Sequence, residues 1–344
     1  MYPQQIIDAL RTVRYPGSGK NVVECGMLED DIRISGLSVS FSLIFDKAND
    51  PFLKSVVKAS EVAIKTYVDT NAAVDIHLKY RKEIKPKTDD SPIDAKHIIA
   101  ISSGKGGVGK STVACNLAVA LASLGYRVGL LDADIFGPSQ PKMFNCEYAQ
   151  PCAVEVDGRD LIQPIEQYGV KMLSVGFFVN PQDAIVWRGG MASNALKQLI
   201  NDSNWGELDY FLIDLPPGTS DIHLTLVQTL KLTGAIVVTT PQPVALADAR
   251  KGIDMFRNEK VGVPVLGVIE NMSWFTPAEL PQNRYYIFGH DGGKLLAEEF
   301  NVPLLGQIPL VQSIRETGDI GEPIALQQGN PAAQFYIDIA KQLI

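Results

Sequence analysis

Cysteine is scarce in this chain. Cys25, Cys115, Cys146 and Cys152 are its only four, and no two of them form a C-x-x-C pair. The first residues, MYPQQIIDALRTV, lack the make-up of a signal peptide, so a reducing cytoplasm is the expected compartment. Long apolar runs are also missing. The longest are short strand-like stretches such as Ala235 to Val238, far below the roughly 18 residues a membrane span requires. Clusters of positive charge are absent too: 31 Lys and Arg stand against 39 Asp and Glu, for a net charge of −8. That balance argues against a dedicated nucleic-acid surface, which draws on clustered cations. What is present is a globular composition, 46% hydrophobic and 20% charged over 344 residues, enough for two domains with their own cores.

The most informative segment is Gly104 to Thr112, GKGGVGKST. It follows the apolar run Ile98 to Ile101 and precedes an amphipathic stretch from Val113 to Leu124. Gly104, Gly109, Lys110 and Ser111 satisfy the phosphate-loop pattern G-x-x-x-x-G-K-[ST] in the strand-then-helix setting it needs. Its glycines let main-chain N–H groups turn inward around a β-phosphate, and the following helix N-terminus adds partial positive charge. Lys110 is the candidate for the β- and γ-phosphates and Ser111 for Mg²⁺. The plain alternative is a glycine-rich turn that only joins a strand to a helix.

Lys105 stands immediately after the first glycine. K-G-G-x-G-K-[ST] resembles the deviant phosphate loop of a family containing septum-site and plasmid-partition ATPases, nitrogenase iron protein, arsenite-pump ATPases and the Mrp iron-sulfur carriers. In that family two subunits meet across their nucleotides, and this lysine contacts the phosphates of the partner. Carried over to Lys105, the resemblance implies an ATP-dependent homodimer. The alternative is a solvated loop lysine.

The organisation changes near residue 90. Residues 81–96 are charged, proline-containing and without apolar periodicity, and are expected to be a linker between a domain over 1–80 and another over 97–344. In the first, Gln4 to Val13 has helical spacing, Val22 to Leu28 and Ile32 to Phe45 read as strands, and Asp50 with Pro51 opens a second helix. Phe52, Val56, Val57, Ala63, Ile64 and Tyr67 are the expected inner face of that helix, and Ala73 to Leu78 the last strand. The resulting small α-β-β-α-β domain resembles in layout the MIP18-like domain at the N-terminus of many Mrp proteins. That domain's usual D-P-E is here Tyr15, Pro16, Gly17, and the cysteine after its second strand is absent, so the resemblance implies a fold and an accessory role without chemistry.

From His97 onward strands and helices alternate, which predicts a doubly wound, mostly parallel sheet with ligands at the carboxyl ends of its strands. Tyr126 to Asp134 is the next expected strand and opens DADIFGPS, similar to the switch I segment of Mrp proteins. A carboxylate beside a triphosphate is unfavourable unless it handles metal or water. Asp134 is therefore the candidate for orienting the attacking water, and Asp132 for the magnesium hydration shell or the switch, with a turn-capping role as the alternative. Leu208 to Leu215 is a buried strand ending in Asp214, placed as a Walker B aspartate, and the PPGTSD that follows puts Gly218 where its N–H can meet a γ-phosphate. By resemblance, Asn271 contacts the adenine edge, although an Asn after a strand is also a common turn residue, and Pro309 flanks the ring. The expected nucleotide contacts are thus Gly104, Lys105, Gly106, Gly107, Val108, Gly109, Lys110, Ser111, Thr112, Gly218, Asn271 and Pro309, with Ser111, Asp132 and Asp214 toward Mg²⁺, directly or through water.

GKGGVGKST, DADIFGPS, DLPPGTSD, VTTPQPVALAD and ENMSWF occur in order, and the set resembles the Mrp family along nearly the whole chain. It implies an ATP hydrolase that carries iron-sulfur clusters to apoproteins. One departure stands out: the carriers typically have C-P-x-C after ENMSWF, whereas this chain reads TPAELPQNRYYIFGHDGG, with no cysteine after Cys152. Because clusters are held by thiolates in most cases, three readings stay open. A cluster is held through groups such as Cys146 and Cys152, with His290 and Asp291 as further candidates; or it is held with partner or small-molecule thiols; or none is held, and the chain uses ATP for a related carrier or scaffold task or is a regulatory or positioning switch like the septum-site and partition ATPases. Cys115 is expected to pack under the phosphate-loop helix. The tail Ala332 to Ile344 has one cation, Lys341, and reads as a packed helix rather than one that lies on lipid.

Overall fold

A computed structural model describes residues 1–16, 19–29, 31–45, 50–80, 92–178 and 189–344. The chain forms two compact units, residues 1–89 and 90–344.

In the first unit, α1 (Pro3–Leu10) begins with proline at its first turn, where a missing N–H costs nothing, and Gln5 Oε1 accepts the Tyr2 N–H at 3.0 Å. Its buried face is Ile6, Ala9 and Leu10. Two strands, β1 (Arg33–Ser35) and β2 (Ser38–Phe45), form an antiparallel hairpin about Gly36, whose φ of +60° suits glycine. They are followed by α2 (Leu53–Tyr67) and by β3 (Ala73–Tyr80), which runs parallel to β2.

The expected α-β-β-α-β order is present, with different first strands. Val22 to Gly26 is built of turns, because Asn21 Oδ1 takes the N–H groups of Val23 at 3.0 Å and Glu24 at 2.8 Å, and only the end of the expected strand pairs, with Leu28 bridging Leu43 antiparallel. The run expected as one strand from Ile32 to Phe45 is instead folded back on itself at Gly36. On α2, Val56, Ala63 and Ile64 are buried as expected, whereas Phe52 and Tyr67 are exposed. Phe52 precedes the first helical turn and meets Tyr15 edge-on, and Tyr67 is the last helical residue.

The second unit is ordered β4 (Ala95–Ser102), α3 (Lys110–Ser123), β5 (Val128–Asp132), α4 (Gln140–Met143), β6 (Ala153–Val156), β7 (Arg159–Ile162), β8 (Ile165–Gln167), β9 (Val170–Ser174), α5 (Gly189–Asn201), β10 (Leu208–Asp214), α6 (Asp221–Thr229), β11 (Gly234–Thr239), α7 (Pro243–Arg257), β12 (Val265–Phe275), α8 (Gly292–Phe300), β13 (Leu304–Leu310), α9 (Gln312–Asp319) and α10 (Pro331–Lys341). Eight strands make one sheet in the order β13-β12-β11-β4-β10-β5-β9-β8. All neighbours are parallel except β8 and β9. The central strands are continuous Val, Ile and Leu runs because both faces are covered. Ile99 and Ile101 of β4 pack with α3 and α10, and Ile98 and Ala100 pack with α5 and α6.

The expected linker over 81–96 falls largely on residues outside those described. Ile93 already belongs to the core of the second unit and β4 starts at Ala95, so the end of that stretch is sheet. The tail forms α10, whose Ala332, Ala333, Tyr336, Ile339 and Ala340 are buried. Among the described residues no helix is long and apolar enough to cross a membrane.

From β4 the chain crosses over β10 to reach β5, and from β10 it crosses over β4 to reach β11. Connections thus leave the middle of the sheet in opposite directions. A crevice opens there at the carboxyl ends of β4, β5 and β10, the general ligand position of such sheets.

Candidate nucleotide-binding site

Strand register brings the carboxylates together. Asp214, last in β10, pairs in register with Asp132, last in β5, and Asp132 pairs with Ser174, last in β9. The loop after β4 lies beside them and turns into α3 at Gly109, which serves as N-cap with φ +84°. An added Cβ on Gly109 would stand 2.2 Å from Asn271 Nδ2, and one on Gly104 would stand 2.1 Å from the Asp248 carbonyl carbon on α7. The loop therefore needs both glycines for close approach as well as for turning. α3 is apolar almost all round and ten of its residues are buried, which fixes the loop rigidly at its base.

Lys110 is buried and its ammonium pairs with the Asp214 carboxylate. It lies 4.0 Å from Asp134 and donates to Ser111 Oγ at 3.2 Å. Asp214 Oδ2 accepts from Gln140 Nε2 at 2.8 Å. Asp132 Oδ2 accepts from Ser174 Oγ at 2.9 Å and from the Gln140 N–H at 3.2 Å, and its Oδ1 accepts from the Asp134 N–H at 3.2 Å.

Asp132 and Asp214 are fully buried, and the one ammonium nearby, Lys110, meets Asp214 and Asp134 but not Asp132, in a place of low dielectric. Burial, reinforced by the charge of Asp214, pushes Asp132 up to about 7 even though its hydrogen bonds oppose the shift. Asp134 is raised by burial and by Asp214, with Lys110 acting against them. Uncompensated negative charge of this kind calls for a proton or a cation. Mg²⁺ usually keeps several waters and takes one or two protein oxygens, so the Ser111 hydroxyl with a single carboxylate such as Asp214 suits it without a closed set of three acidic ligands.

A cleft of about 280 Å³ adjoins the loop. Gly109 and Thr112 of the loop line it together with Asn271 and Pro309. Its far wall is Val311, Ile314 and Arg315 at the start of α9, with Met272 beside Asn271. The size and mixed lining suit a nucleoside, as an apolar slot with a few polar edges does. Asn271 Nδ2 also donates to Val108 O at 2.8 Å, tying β12 to the loop. Gly218 differs from expectation. Its N–H is spent on Ser103 O at 2.8 Å, in a turn where Gly218 has φ +85°, so in this conformation it is not offered to a phosphate. Lys105 is exposed, and among the described residues its side chain has no ion-pair partner.

The family described as the NUBPL iron-transfer P-loop NTPase matches residues 94–344. The chain belongs to this family. Residues 3–76 match a second family, described as an iron-sulfur cluster assembly protein. An iron-sulfur cluster carrier protein of Synechocystis sp. is 44% identical over 345 residues, covering 98% of this chain and 96% of its own length. Among solved structures, the nucleotide-binding protein of Archaeoglobus fulgidus in complex with ADP superposes with a TM-score of 0.57 at 36% identity, over 67% of this chain and 88% of that one. The Pyrococcus furiosus cell division ATPase MinD, at 22% identity and a TM-score of 0.52 over 72% of this chain and 98% of its own, shares the fold. The fold is thus that of a P-loop ATPase of the MinD and ParA type.

For this NUBPL-type chain the candidate cluster ligands do not converge. Among the described residues no three of His, Cys, Asp and Glu are placed to hold a metal ion. Cys115 is buried within α3, as expected, and its thiol is held well above the usual range by burial. Cys146 is half-buried and burial pushes it to about 12, which disfavours the thiolate that binds metal, while Cys152 is exposed. His290 and Asp291 contact each other at 2.8 Å. Asp291 occupies the N-cap position of α8 but makes no side-chain cap bond. The buried Glu270 carboxylate takes that place, accepting the Gly293 N–H at 2.6 Å.

Sequence reasoning missed Gln140, Ser174 and His223. The imidazole of His223 is buried in α6, just beyond the PPGTSD loop, and its Nδ1 accepts the Ser220 N–H at 3.1 Å. The one signal for Gln140 is its position in the first turn after the DADIFGPS carboxylates.

Proposed function

We propose that the chain is an ATP-hydrolysing homodimer that binds iron-sulfur clusters and transfers them to apoproteins. The observation that carries the ATPase part is that Lys110, Asp132, Asp134 and Asp214 come together at the phosphate loop, whose Gly109 and Thr112 line the nucleoside-sized cleft. Lys110 leaves Asp214 for the β- and γ-phosphates, and Ser111, Asp132 and Asp214 hold Mg²⁺, directly or through water. The ion supplies neutralisation of charge on the phosphate oxygens. Asp134 orients the attacking water toward the γ-phosphorus, and ADP and phosphate leave. Lys105, exposed at the loop, reaches the phosphates bound by the partner. Release of the phosphate relaxes the segments after β5 and β10, and Gly218 returns its N–H to Ser103.

The cluster is cargo. Support for it comes from the family, from the Synechocystis relative described as a carrier, and from the iron-sulfur assembly match over the first unit. Among the described residues the donors do not enclose a cluster, which supports a ligand set completed by thiols from outside the chain. A second reading, a cluster-free switch, is favoured by the missing C-P-x-C and by the scattered cysteines.

Anaerobic reconstitution with iron and sulfide decides between the two. Iron, sulfide and visible absorption are measured on the re-purified protein beside a Cys146→Ala, Cys152→Ala double variant. Stoichiometric cluster supports the carrier, and its loss in the double variant assigns the ligands to that pair. No cluster in either protein, with ATPase intact, supports the cluster-free switch.

A further inference from the structure

Gln140 is fully buried, yet it is a primary amide. Such a group is costly to bury unless its hydrogen bonds are made. It opens α4, the short helix that follows the DADIFGPS segment, and touches every part of the candidate metal site. Its Nε2 donates to Ser111 O at 3.0 Å and to Asp214 Oδ2 at 2.8 Å, and its main-chain N–H donates to Asp132 Oδ2 at 3.2 Å. Its Oε1 is buried and has no partner among the described residues.

We infer that Gln140 is the positioning residue of the Mg²⁺ site, holding the Asp214 carboxylate in orientation while Lys110 exchanges partners. The inference rests on the MgATP reading of this site. Among the described residues, Lys110 and Gln140 are the two side chains that donate to Asp214, one to each oxygen. When Lys110 turns to the phosphates, Oδ1 is freed and Oδ2 stays fixed by the carboxamide. The carboxylate then keeps its plane instead of rotating, and the vacated oxygen is the one the Lys110 ammonium held. The same Nε2 bond to Ser111 O sets the spacing between the phosphate loop and the end of β10. The unpartnered Oε1 is an acceptor position beside these carboxylates that a water O–H satisfies, which lowers the cost of burying it. Groups that orient metal ligands in this way typically carry about 10–100-fold in metal affinity.

The test uses Mn²⁺ as probe, read by electron paramagnetic resonance as free ion, with the full-length protein and a saturating non-hydrolysable ATP analogue. Gln140→Met removes the amide at similar volume, and Gln140→Ala is a second variant should the first not fold. Both should weaken Mn²⁺ binding about 10–100-fold, while the affinity for the analogue in excess chelator stays at the wild-type value. Wild-type Mn²⁺ affinity in the variants overturns the proposal, and so does an equal loss with and without metal, which marks a packing role. Failure of the wild-type protein itself to bind Mn²⁺ with the analogue contradicts the MgATP reading instead.

Discussion

The ammonium of Lys110, at the start of α3, pairs with the carboxylate of Asp214, at the end of β10, with neither group open to solvent. In this state Lys110 neutralises Asp214, and under the proposed function it is held there until the phosphates arrive. Breaking a buried pair from one side is expensive because the remaining charge is stranded. Lys110→Met is therefore expected to abolish tight MgATP binding and to destabilise the nucleotide-free protein by about 3–5 kcal/mol. Calorimetry and thermal unfolding check the two effects separately.

Lys105 has no comparable ion-pair partner among the described residues, so its removal is expected to separate binding from turnover. Lys105→Ala should leave MgATP affinity near wild type while hydrolysis and nucleotide-dependent dimerisation fall together. Turnover and sedimentation velocity with and without MgATP read both, and unchanged turnover removes the cross-subunit role.

Asp134 sits within 4.0 Å of the Lys110 ammonium but outside the pair that Lys110 makes with Asp214. Asp134→Asn should bind MgATP and fail to hydrolyse it. Single-turnover quench experiments are expected to show ATP retained on the protein, and normal product formation contradicts the water-orienting role.

Two buried groups give stability opposite dependences on pH. Asp132 is pushed to about 7 in the folded state by burial and the charge of Asp214, against about 3.9 when unfolded. Over that interval the folded state binds more protons, so the Asp132 contribution is lost as pH rises toward 7. Burial lowers His223 to about 4, against about 6.5 when unfolded. Its contribution is present above 6.5 and lost as pH falls through 4. Each slope reaches about 1.4 kcal/mol per pH unit, and the two offset each other where the intervals overlap. Relative to wild type, the stability of Asp132→Asn should rise more steeply with pH, and that of His223→Gln should fall more steeply. Denaturant unfolding across the acid-to-neutral range checks both signs, and wild-type slopes in both variants would contradict the assignment.

The carboxylates were legible in the sequence because Asp132 and Asp214 each terminate an apolar run, where a core role for a charge is implausible. What the sequence does not carry is register. The in-register pairing of Asp214 with Asp132, and of Asp132 with Ser174, depends on strands far apart in the chain. Gln140 reads locally as a turn residue after Pro138 and Ser139, and only the folded sheet shows its amide between Ser111 and Asp214. The far wall of the cleft, Ile314 and Arg315, belongs to a helix that no local pattern connects to the phosphate loop. Val22 to Gly26 shows the reverse case, in which apolar residues suggested a strand and the side chain of one residue, Asn21, redirected the backbone into turns.

Under the proposed function ATP hydrolysis is coupled to delivery of a cluster, and the rate of that delivery is the most direct test of the coupling. Anaerobically reconstituted protein is mixed with an apo iron-sulfur acceptor, and acceptor activation is followed with MgATP, with a non-hydrolysable analogue and without nucleotide, for wild type and Lys110→Met. The predicted result is transfer that depends on MgATP in the wild type and loses that dependence in the variant. Transfer at one rate under all three conditions and in both proteins would contradict it.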